Sequence, residues 1–387
     1  MATVGSTRTP SFLTMALLSL LLGIGVLFIH SASTAGDTTF PGYYAKAQLI
    51  RIAIGVGIFL VFLRLDYRRL EEWATPLYTI GVTLLIVLLA LKVVRTGPSR
   101  WFYLPGFALQ PAELMKVFSV LLLAKVMKPS GATRHASAQG IAPFLVMGIP
   151  VALIVLQPDL GTALVLVPVF FAMYWAAGAS TTRILGIMGA MVALLPIAWM
   201  GLHPYQKSRL SVFWDPAGAD ATSGGYQIRQ SLIAIGSGGD TGRGLYQGTQ
   251  NRLNYLPEDH NDFVFAIIGE EWGLLGTLTV VLLFLSLYVS CAGIALRTQE
   301  FFGRLVVVGL TTYLAFQTLV NLAMTMGLAP VTGLPLPFVS YGGSSLLTSL
   351  VSIAIILGIG LRPVRTVAPD GLQSGTSPIL HLGRTRR

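Results

Sequence analysis

The chain has 387 residues, of which 53% are hydrophobic and only 11% are charged, and its formal net charge at pH 7 is +10. Soluble domains carry charges on roughly a quarter of their residues, and a mean hydropathy of +0.71 lies well above their usual values. These values exclude a soluble globular protein and indicate an integral membrane protein with an excess of basic side chains.

Apolar stretches that are long enough to cross a bilayer recur along the chain. A helix needs roughly 20 apolar residues to span a hydrocarbon core of about 30 Å. About ten stretches meet this need, near residues 12–32, 47–64, 75–94, 109–127, 141–157, 159–178, 184–201, 272–296, 305–327 and 344–361. The sequence predicts an all-α polytopic membrane protein in which 1–366 form one domain and 367–387 form a disordered cytoplasmic tail.

The first apolar stretch ends in HSASTAG, which is similar to a signal-peptidase site. Its apolar run is longer than the 7–15 residues of a typical signal core, so we expect a retained helix. The single cysteine, Cys291, lies inside the eighth stretch. We therefore expect a small buried apolar side chain there and no intrachain disulfide.

The short loops predict the orientation, because basic residues accumulate in cytoplasmic loops. Basic residues follow every second stretch: Arg64, Arg68, Arg69, Lys125, Lys128, Arg134, Arg183, Arg297, Arg304, Arg362 and Arg365. We expect these loops and both termini to be cytoplasmic.

One connection, 202–262, is about sixty residues long and is expected on the outer face. Connections of that length are usually functional. Ile228, Leu232 and Ile235 recur at helical spacing and predict a short helix on the membrane face. The Gly-rich piece GSGGDTGRGLYQGTQ has exposed N–H groups that could bind phosphate, but it lacks the flanking strand and helix of a nucleotide loop, so a flexible connector is preferred.

The stretch LNYLPEDHNDFVFAIIGEEWG, residues 253–273, holds five of the sixteen acids in the chain: Glu258, Asp259, Asp262, Glu270 and Glu271. An uninterrupted helix from Phe263 to Arg297 would be about 52 Å long, some 20 Å more than the bilayer core. If the membrane begins near Trp272, Glu270 and Glu271 lie at the outer boundary. Asp262 then lies roughly 13 Å above it, at the depth of a lipid headgroup.

Asp262 has two interpretations. It precedes an apolar helical run, so its side chain could cap the helix N-terminus. It could also act chemically, because other ionisable residues occur within apolar stretches, where they are costly and tend to be paired or functional. Glu113 and Lys116 share one helix face at i,i+3, and Asp159 follows a proline near the outer end of the fifth stretch. We expect an internal ion pair of Glu113 with Lys116, with Asp159 competing for the lysine.

Basic residues also collect on the predicted outer face, among them Arg51, Arg100 and Arg209. A basic rim around an acidic centre suits an anionic lipid headgroup together with a carboxylate that exchanges protons or binds a metal.

The block LPEDHNDFVFAIIGEEWG resembles a signature of the SEDS proteins (shape, elongation, division and sporulation), as do GPSRWFYLPGFALQPAELMK, QPDLGTALV, GGYQIRQSLIAIGSGG and LPLPFVSYGGSSLL. The blocks follow the family's order from about residue 45 to 362. GTQNRLNYLPE and PVTGLPLPFVSYGGSS resemble the elongation members more than the division members. Asn261 departs from the Thr of many members, but it is also polar and small.

The resemblance implies a peptidoglycan glycosyltransferase that polymerises lipid II with inversion, releasing undecaprenyl pyrophosphate. Asp262 would be the catalytic base or the ligand of a divalent cation, Mg2+ or Mn2+. The expected substrate-binding residues are Arg51, Arg100, Trp101, Gln110, Lys116, Arg209, Gln227, Glu258, His260, Ser340 and Ser344.

The resemblance also implies partners: a class B penicillin-binding transpeptidase and other membrane proteins of the elongation complex, with membrane lipids but no nucleic acid. Two other functions stay open. In a lipid II flippase, Glu113, Lys116 and Asp159 would line a headgroup path and Asp262 would be a gate. In a non-catalytic scaffold of a cell-wall complex, the carboxylates would be structural.

Overall fold

The fold was analysed in a computed structural model that describes residues 8–36, 42–94, 100–104, 107–129, 140–202, 204–214, 224–253, 255 and 261–362. These residues form thirteen helices and one two-stranded antiparallel sheet. The elements are α1 (Arg8–Gly36), α2 (Tyr43–Arg64), α3 (Tyr67–Val94), β1 (Phe102–Leu104), β2 (Phe107–Leu109), α4 (Pro111–Val126), α5 (Ala142–Leu156), α6 (Leu160–Ala176), α7 (Thr181–Gly201), α8 (Pro204–Trp214), α9 (Gly224–Gly238), α10 (Thr249–Arg252), α11 (Val264–Arg297), α12 (Phe301–Thr325) and α13 (Gly343–Gly360).

The prediction of an all-α polytopic membrane fold is confirmed. Each of the ten predicted stretches lies in its own helix, α1 to α7 and α11 to α13. Within the described residues, α1, α2, α3, α11, α12 and α13 are long and apolar enough to cross a membrane, and α5, α6 and most of α7 are shorter apolar helices. Pro158 lies in the break between α5 and α6, and Pro150, Pro168 and Pro196 lie inside α5, α6 and α7. The predicted tail, 367–387, lies outside the described residues.

Helix α12 forms the centre of the bundle. It contacts α4, α6, α11 and α13, while α13 packs on α2, α1 on α11, and α3 on α4. Leu305, Val306, Leu310 and Leu314 of α12 are completely buried. The same helix carries two completely buried amides, Gln317 and Asn321. Polar side chains in such an apolar environment need hydrogen-bond partners, and theirs lie near the candidate site.

The prediction of an uninterrupted helix from 263 to 297 is wrong at one residue. Gly273 interrupts α11 with φ 65° and ψ −156°, a conformation that glycine tolerates because it has no Cβ. The interruption leaves the carbonyls of Glu270 and Glu271 and the N–H groups of Leu274 and Leu275 without their usual helical partners.

The Gly-rich loop after α9 supplies those partners. Arg243 N and Gly244 N donate to the carbonyls of Glu270 and Glu271, each at 3.0 Å. Leu274 N and Leu275 N donate to the carbonyls of Gly239 and Asp240 at 2.9 and 3.2 Å. The expectation of a flexible connector is therefore wrong for residues 239–244, because this backbone binds the interrupted helix. The same hydrogen bonds occupy two of the N–H groups that a phosphate would need.

Glu270 and Glu271 do not face lipid headgroups, contrary to the prediction. They are 0% and 1% exposed. Glu270 Oε1 accepts hydrogen bonds from Thr249 N at 2.6 Å and Gln250 N at 3.1 Å, at the start of α10. Glu271 Oε1 accepts a hydrogen bond from Ser31 Oγ of α1 at 2.5 Å. These carboxylates hold α10 and α1 against α11, so they have a structural role.

Gly242→Ala should detach this loop. Gly242 has φ +81°, and an added Cβ would lie 2.1 Å from the carbonyl oxygen of Glu271. Backbone strain and the lost hydrogen bonds should destabilise the loop by about 2 kcal/mol or more. Hydrogen exchange of the amides in 239–244 should rise strongly. Gly236→Ala is the control, since nothing lies within 4 Å of its added Cβ; equal exchange in the two variants would contradict this account of the loop.

Candidate active site

A cavity of about 360 Å³ lies where α2, α4, α6, α8 and α13 meet the start of α11. Three arginines and two aspartates line it: Arg51, Arg100, Arg209, Asp159 and Asp262. Trp101 and Gln110, two further residues predicted from the sequence, also line it. The fold thus brings seven predicted side chains into one polar cavity in which positive charge exceeds negative charge.

Asp262 is not the N-cap residue of α11. Helix α11 begins at Val264, and its N-cap is Phe263, which makes no side-chain capping bond. The Asp262 carboxylate instead lines the cavity. A Cβ added to Gly333 would lie 3.6 Å from both Asp262 Oδ2 and Arg209 Nη1. The carboxylate and the guanidinium therefore lie beside the same glycine, where a side chain would fill the space between them.

Asp159 caps α6 and does not compete for Lys116, so that part of the ion-pair prediction is wrong. Its Oδ1 accepts a hydrogen bond from Thr162 N at 3.2 Å, and its Oδ2 accepts one from Thr162 Oγ1 at 3.0 Å. Gln110 Nε2 donates to the same Oδ2 at 3.0 Å. Because Pro158 ends the preceding helix, Asp159 takes the N-cap position of the next one and its carboxylate serves the backbone.

The three arginines differ in what already occupies their donors. Arg100 donates to the carbonyls of Gln157 at 3.0 Å and Pro158 at 2.5 Å, so it is tied to the turn between α5 and α6. Arg209 donates to the carbonyl of Val331 at 3.2 Å. Arg51 has a buried Nη1 with no hydrogen-bond partner in the described part of the chain. A buried donor without a partner costs about 1–3 kcal/mol, so an anion in the cavity would be bound most favourably beside Arg51.

Tyr341 completes this side of the cavity. The Arg51 guanidinium lies 4.1 Å from the centre of its ring, a cation–π contact. Burial raises the pKa of the Tyr341 phenol, although the charge of Arg51 opposes the shift. The phenol therefore stays protonated at neutral pH and keeps its hydrogen-bond donor.

Lys116 does not line the cavity, contrary to its prediction as a substrate-binding residue. Its side chain is completely buried, with Nζ 2.7 Å from Glu113 Oε1 and 2.7 Å from Gln317 Oε1. The ammonium also lies 4.6 Å from the centre of the Tyr313 ring. Its partners within the bundle surround it, so Lys116 does not reach the cavity.

The remaining predicted residues fall into three groups. Ser344 donates to the carbonyl of Ala108 at 2.7 Å and accepts from Gln110 N at 3.0 Å, and Ser340 accepts from Leu336 N at 2.9 Å, so both serines shape the backbone near the cavity. Gln227 lies on α9 and does not line the cavity. Glu258 and His260 lie outside the described residues.

Sequence reasoning missed Gln317 and Asn321. Gln317 Nε2 donates to the carbonyl of Pro335 at 2.9 Å, and Asn321 Nδ2 donates to the carbonyls of Asp262 at 2.9 Å and Leu334 at 2.7 Å. The available signal was two amides at i,i+4 within an apolar stretch, where polar side chains are rare and usually functional or paired.

The donor set bears on the predicted divalent cation. Across the described residues, no three His, Cys, Asp or Glu side chains come close enough to form a metal site. Mg2+ needs fewer protein ligands, because it commonly binds one or two carboxylates together with substrate phosphates. Asp262 lines the cavity, so its carboxylate would hold such an ion together with substrate phosphates.

Comparison with known proteins identifies the family of this chain. Residues 11–362 match the model of the FtsW, RodA and SpoVE proteins, described as cell cycle protein. A probable peptidoglycan glycosyltransferase FtsW of Trichlorobacter lovleyi is 39% identical over 88% of this chain and 90% of that protein. The peptidoglycan glycosyltransferase MrdB of Escherichia coli K12 is 37% identical over 81% of this chain and 85% of that protein.

Solved structures agree with these matches. A chain from a peptidoglycan synthase complex that coordinates polymerization and crosslinking is similar with a TM-score of 0.74 and 31% identity, over 90% of this chain and 96% of that chain. The rod shape determining protein RodA of Thermus thermophilus is similar with a TM-score of 0.64 and 28% identity, over 90% of this chain and 95% of that chain. The chain therefore belongs to the SEDS family, the cell cycle proteins that include FtsW and RodA.

Proposed function

We propose that the chain, a peptidoglycan glycosyltransferase by its family, polymerises lipid II on the outer face of the cytoplasmic membrane during cell elongation. One observation carries the proposal: Asp262 lies in the same cavity as Arg51, whose Nη1 is buried without a partner among the described residues. The blocks GTQNRLNYLPE and PVTGLPLPFVSYGGSS support an elongation role rather than a division role.

The chemistry requires one carboxylate and one cationic region. The acceptor sugar's hydroxyl attacks the anomeric carbon of the donor glycan, and its proton passes to the Asp262 carboxylate. The new glycosidic bond forms as the bond from the anomeric carbon to the pyrophosphate oxygen breaks. Undecaprenyl pyrophosphate leaves with that electron pair, and Arg51 stabilises its growing negative charge. Attack opposite the leaving group inverts the anomeric centre.

A divalent cation, when bound, would neutralise charge on the pyrophosphate. Asp262 would hold it together with phosphate oxygens of the substrate. Gly333 leaves space beside the Asp262 carboxylate for such a group, because a Cβ there would lie 3.6 Å from Oδ2.

Arg51→Gln tests the cationic region. Loss of the guanidinium should slow glycan synthesis about 100-fold or more, since the leaving group carries more negative charge in the transition state than in the bound substrate. Lys46→Gln is the control, because Lys46 is an exposed cation on the same helix and does not line the cavity. The readout is the length and yield of glycan from fluorescent lipid II. Equal losses in the two variants would show that Arg51 contributes only general surface charge.

The proposed orientation has its own test. The loop of 239–244 should be outside and the loop between α11 and α12 inside, because Arg297 and Arg304 flank the latter. In intact cells, a cysteine at Thr241 should react with a thiol reagent that cannot cross membranes, and a cysteine at Gln299 should react only after lysis. Cys291 is completely buried and should stay unreactive. The reverse labelling pattern would invert the topology and remove the cavity from the outer leaflet.

We also propose a single-pass class B penicillin-binding transpeptidase as partner. The similar peptidoglycan synthase complex couples polymerization to crosslinking, and crosslinking is the chemistry of a transpeptidase. Helix α11 presents a suitable surface, because exposed apolar residues follow the 3–4 spacing of helix pairs: Leu275, Leu278, Leu282, Leu285 and Val289.

The flippase alternative receives less support. It needs Glu113 and Lys116 to line a headgroup path, but both are buried and paired with each other. A path through this pair would have to break a desolvated ion pair, which is strongly unfavourable.

A further inference from the structure

Asn321 contacts the chain segment that carries Asp262. Its side chain is completely buried on α12, and Nδ2 donates to the carbonyl of Asp262 at 2.9 Å and to the carbonyl of Leu334 at 2.7 Å. A primary amide has two N–H donors, so both are used. Because both partners are carbonyl acceptors, only the amide nitrogen can face them. Asn321 therefore connects two segments that lie 72 positions apart in the chain.

The other amide atom shows that these two hydrogen bonds determine the side-chain orientation. Asn321 Oδ1 is buried, and no donor in the described part of the chain reaches it. Leaving an acceptor without a partner is unfavourable, so a residue kept only to fill space would be better served by an apolar side chain. The hydrogen bonds from Nδ2 to two carbonyls explain why an asparagine is present despite its unpartnered oxygen.

Both segments contribute residues to the lining of the cavity. Asp262 carries the candidate base, and Leu334 lies between Gly333 and Pro335, which both line the cavity. Phe263, the N-cap residue of α11, has no polar side-chain atom that could hold the backbone there. The hydrogen bond from Asn321 to the Asp262 carbonyl therefore adds a positional restraint next to this residue.

Gln317 extends the same restraint by one helical turn. Its Nε2 donates to the carbonyl of Pro335 at 2.9 Å, and its Oε1 accepts from Lys116 Nζ at 2.7 Å. The carbonyls of Leu334 and Pro335, consecutive in the chain, are therefore held by amides four residues apart on one face of α12. The buried Lys116 thus contacts the side chain that holds Pro335, a residue of the cavity lining.

We propose that Asn321 is a positioning residue, which fixes the backbone at Asp262 and Leu334 and so sets where the Asp262 carboxylate lies relative to Gly333 and Arg209. This inference rests on the proposed function, because it assigns Asp262 the role of base or metal ligand. A displacement of about 1 Å in such a group can lower a rate by about 100-fold.

The test uses the full-length protein with Asn321→Leu, which keeps the branching at Cγ but has no donor, and Asn321→Asp, which keeps the size but replaces the donor with an acceptor. Thr318→Val is the matched control. Thr318 is buried on the same helix and its Oγ1 lies 2.5 Å from the Tyr288 hydroxyl, so the variant loses a buried hydrogen bond that does not touch the cavity.

Two readouts are compared across the variants. Both Asn321 variants should lower the maximal rate of glycan synthesis from fluorescent lipid II on the order of 10–100-fold, with the half-saturating concentration changed by less than about 3-fold. Amide hydrogen exchange should rise in peptides that cover 261–264 and 333–336. Thr318→Val should change neither readout, even if its melting temperature falls as far.

The outcomes separate the inference from the proposed function. Unchanged exchange at both segments in the Asn321 variants would overturn the inference, whatever the activity. Raised exchange with a normal maximal rate would also overturn it, because Asn321 would then be structural only. If wild-type protein makes no glycan while exchange still rises in the Asn321 variants, the proposed function fails and the restraint on the two segments stands.

Discussion

Asp262→Asn should abolish nearly all glycan synthesis and leave the fold intact. Asparagine keeps the size of the side chain but neither takes a proton at neutral pH nor binds a divalent ion strongly, so the rate should fall by about 100-fold or more. Stability should change little, because asparagine keeps the size and one acceptor oxygen of the side chain, and the bond from Asn321 goes to the backbone carbonyl of residue 262. Polymerisation of fluorescent lipid II and the melting temperature in detergent measure the two effects.

The control for Asp262→Asn is Asp240→Asn. Asp240 is an exposed acid on the loop that binds α11, and it does not line the cavity. This variant removes the same charge and should polymerise lipid II at the wild-type rate. Near-normal synthesis by Asp262→Asn would contradict the catalytic role, whatever the control shows.

Lys116→Met should produce the largest loss of stability. It removes the cation from a pair whose side chains are 0% and 2% exposed, and Glu113 then remains as an uncompensated buried charge. Breaking a buried pair in this way typically costs about 3–5 kcal/mol of the free energy of unfolding. Chemical or thermal unfolding in detergent should show the loss. Lys125→Met, on the same helix but partly exposed, should cost far less.

A double variant distinguishes the ion pair from simple packing. Glu113→Leu combined with Lys116→Met removes both charges and should recover most of the stability that Lys116→Met loses. If the double variant is no more stable than the single variant, the loss comes from the contacts of Lys116 with Gln317 or Tyr313, and the ion-pair explanation is wrong.

Hydropathy predicts the helices well, because a membrane span needs a long apolar run that is visible in the sequence. It does not predict the interruption at Gly273, because glycine is tolerated both in straight and in kinked helices. The role of Glu270 and Glu271 follows from that interruption. A continuous helix would place these carboxylates at a lipid surface. The interrupted helix instead buries them against Thr249 and Ser31.

The sequence identifies the charged residues of the candidate site but neither their partners nor the buried amides. Charged residues are rare in a strongly apolar chain and are therefore candidates for function. The sequence identifies five that line the cavity: Arg51, Arg100, Arg209, Asp159 and Asp262. The partners of the charged residues do not follow from the sequence. The local sequence around Lys116 would be the same whether this lysine reached the cavity or was buried beside Glu113. The buried amides were missed because Asn and Gln carry no charge, and their acceptors lie on segments that are distant in the chain.

The most direct test measures glycan polymerisation and lipid transfer by purified wild-type protein in liposomes that contain fluorescent lipid II and a divalent cation. Gel analysis of the glycan and a quencher assay for transfer of lipid II between leaflets are run on the same sample. The proposed function predicts a ladder of polymerised glycan that disappears in Asp262→Asn, with no lipid transfer above that of protein-free liposomes. Transfer of lipid II without any polymer would contradict the proposal and favour the flippase.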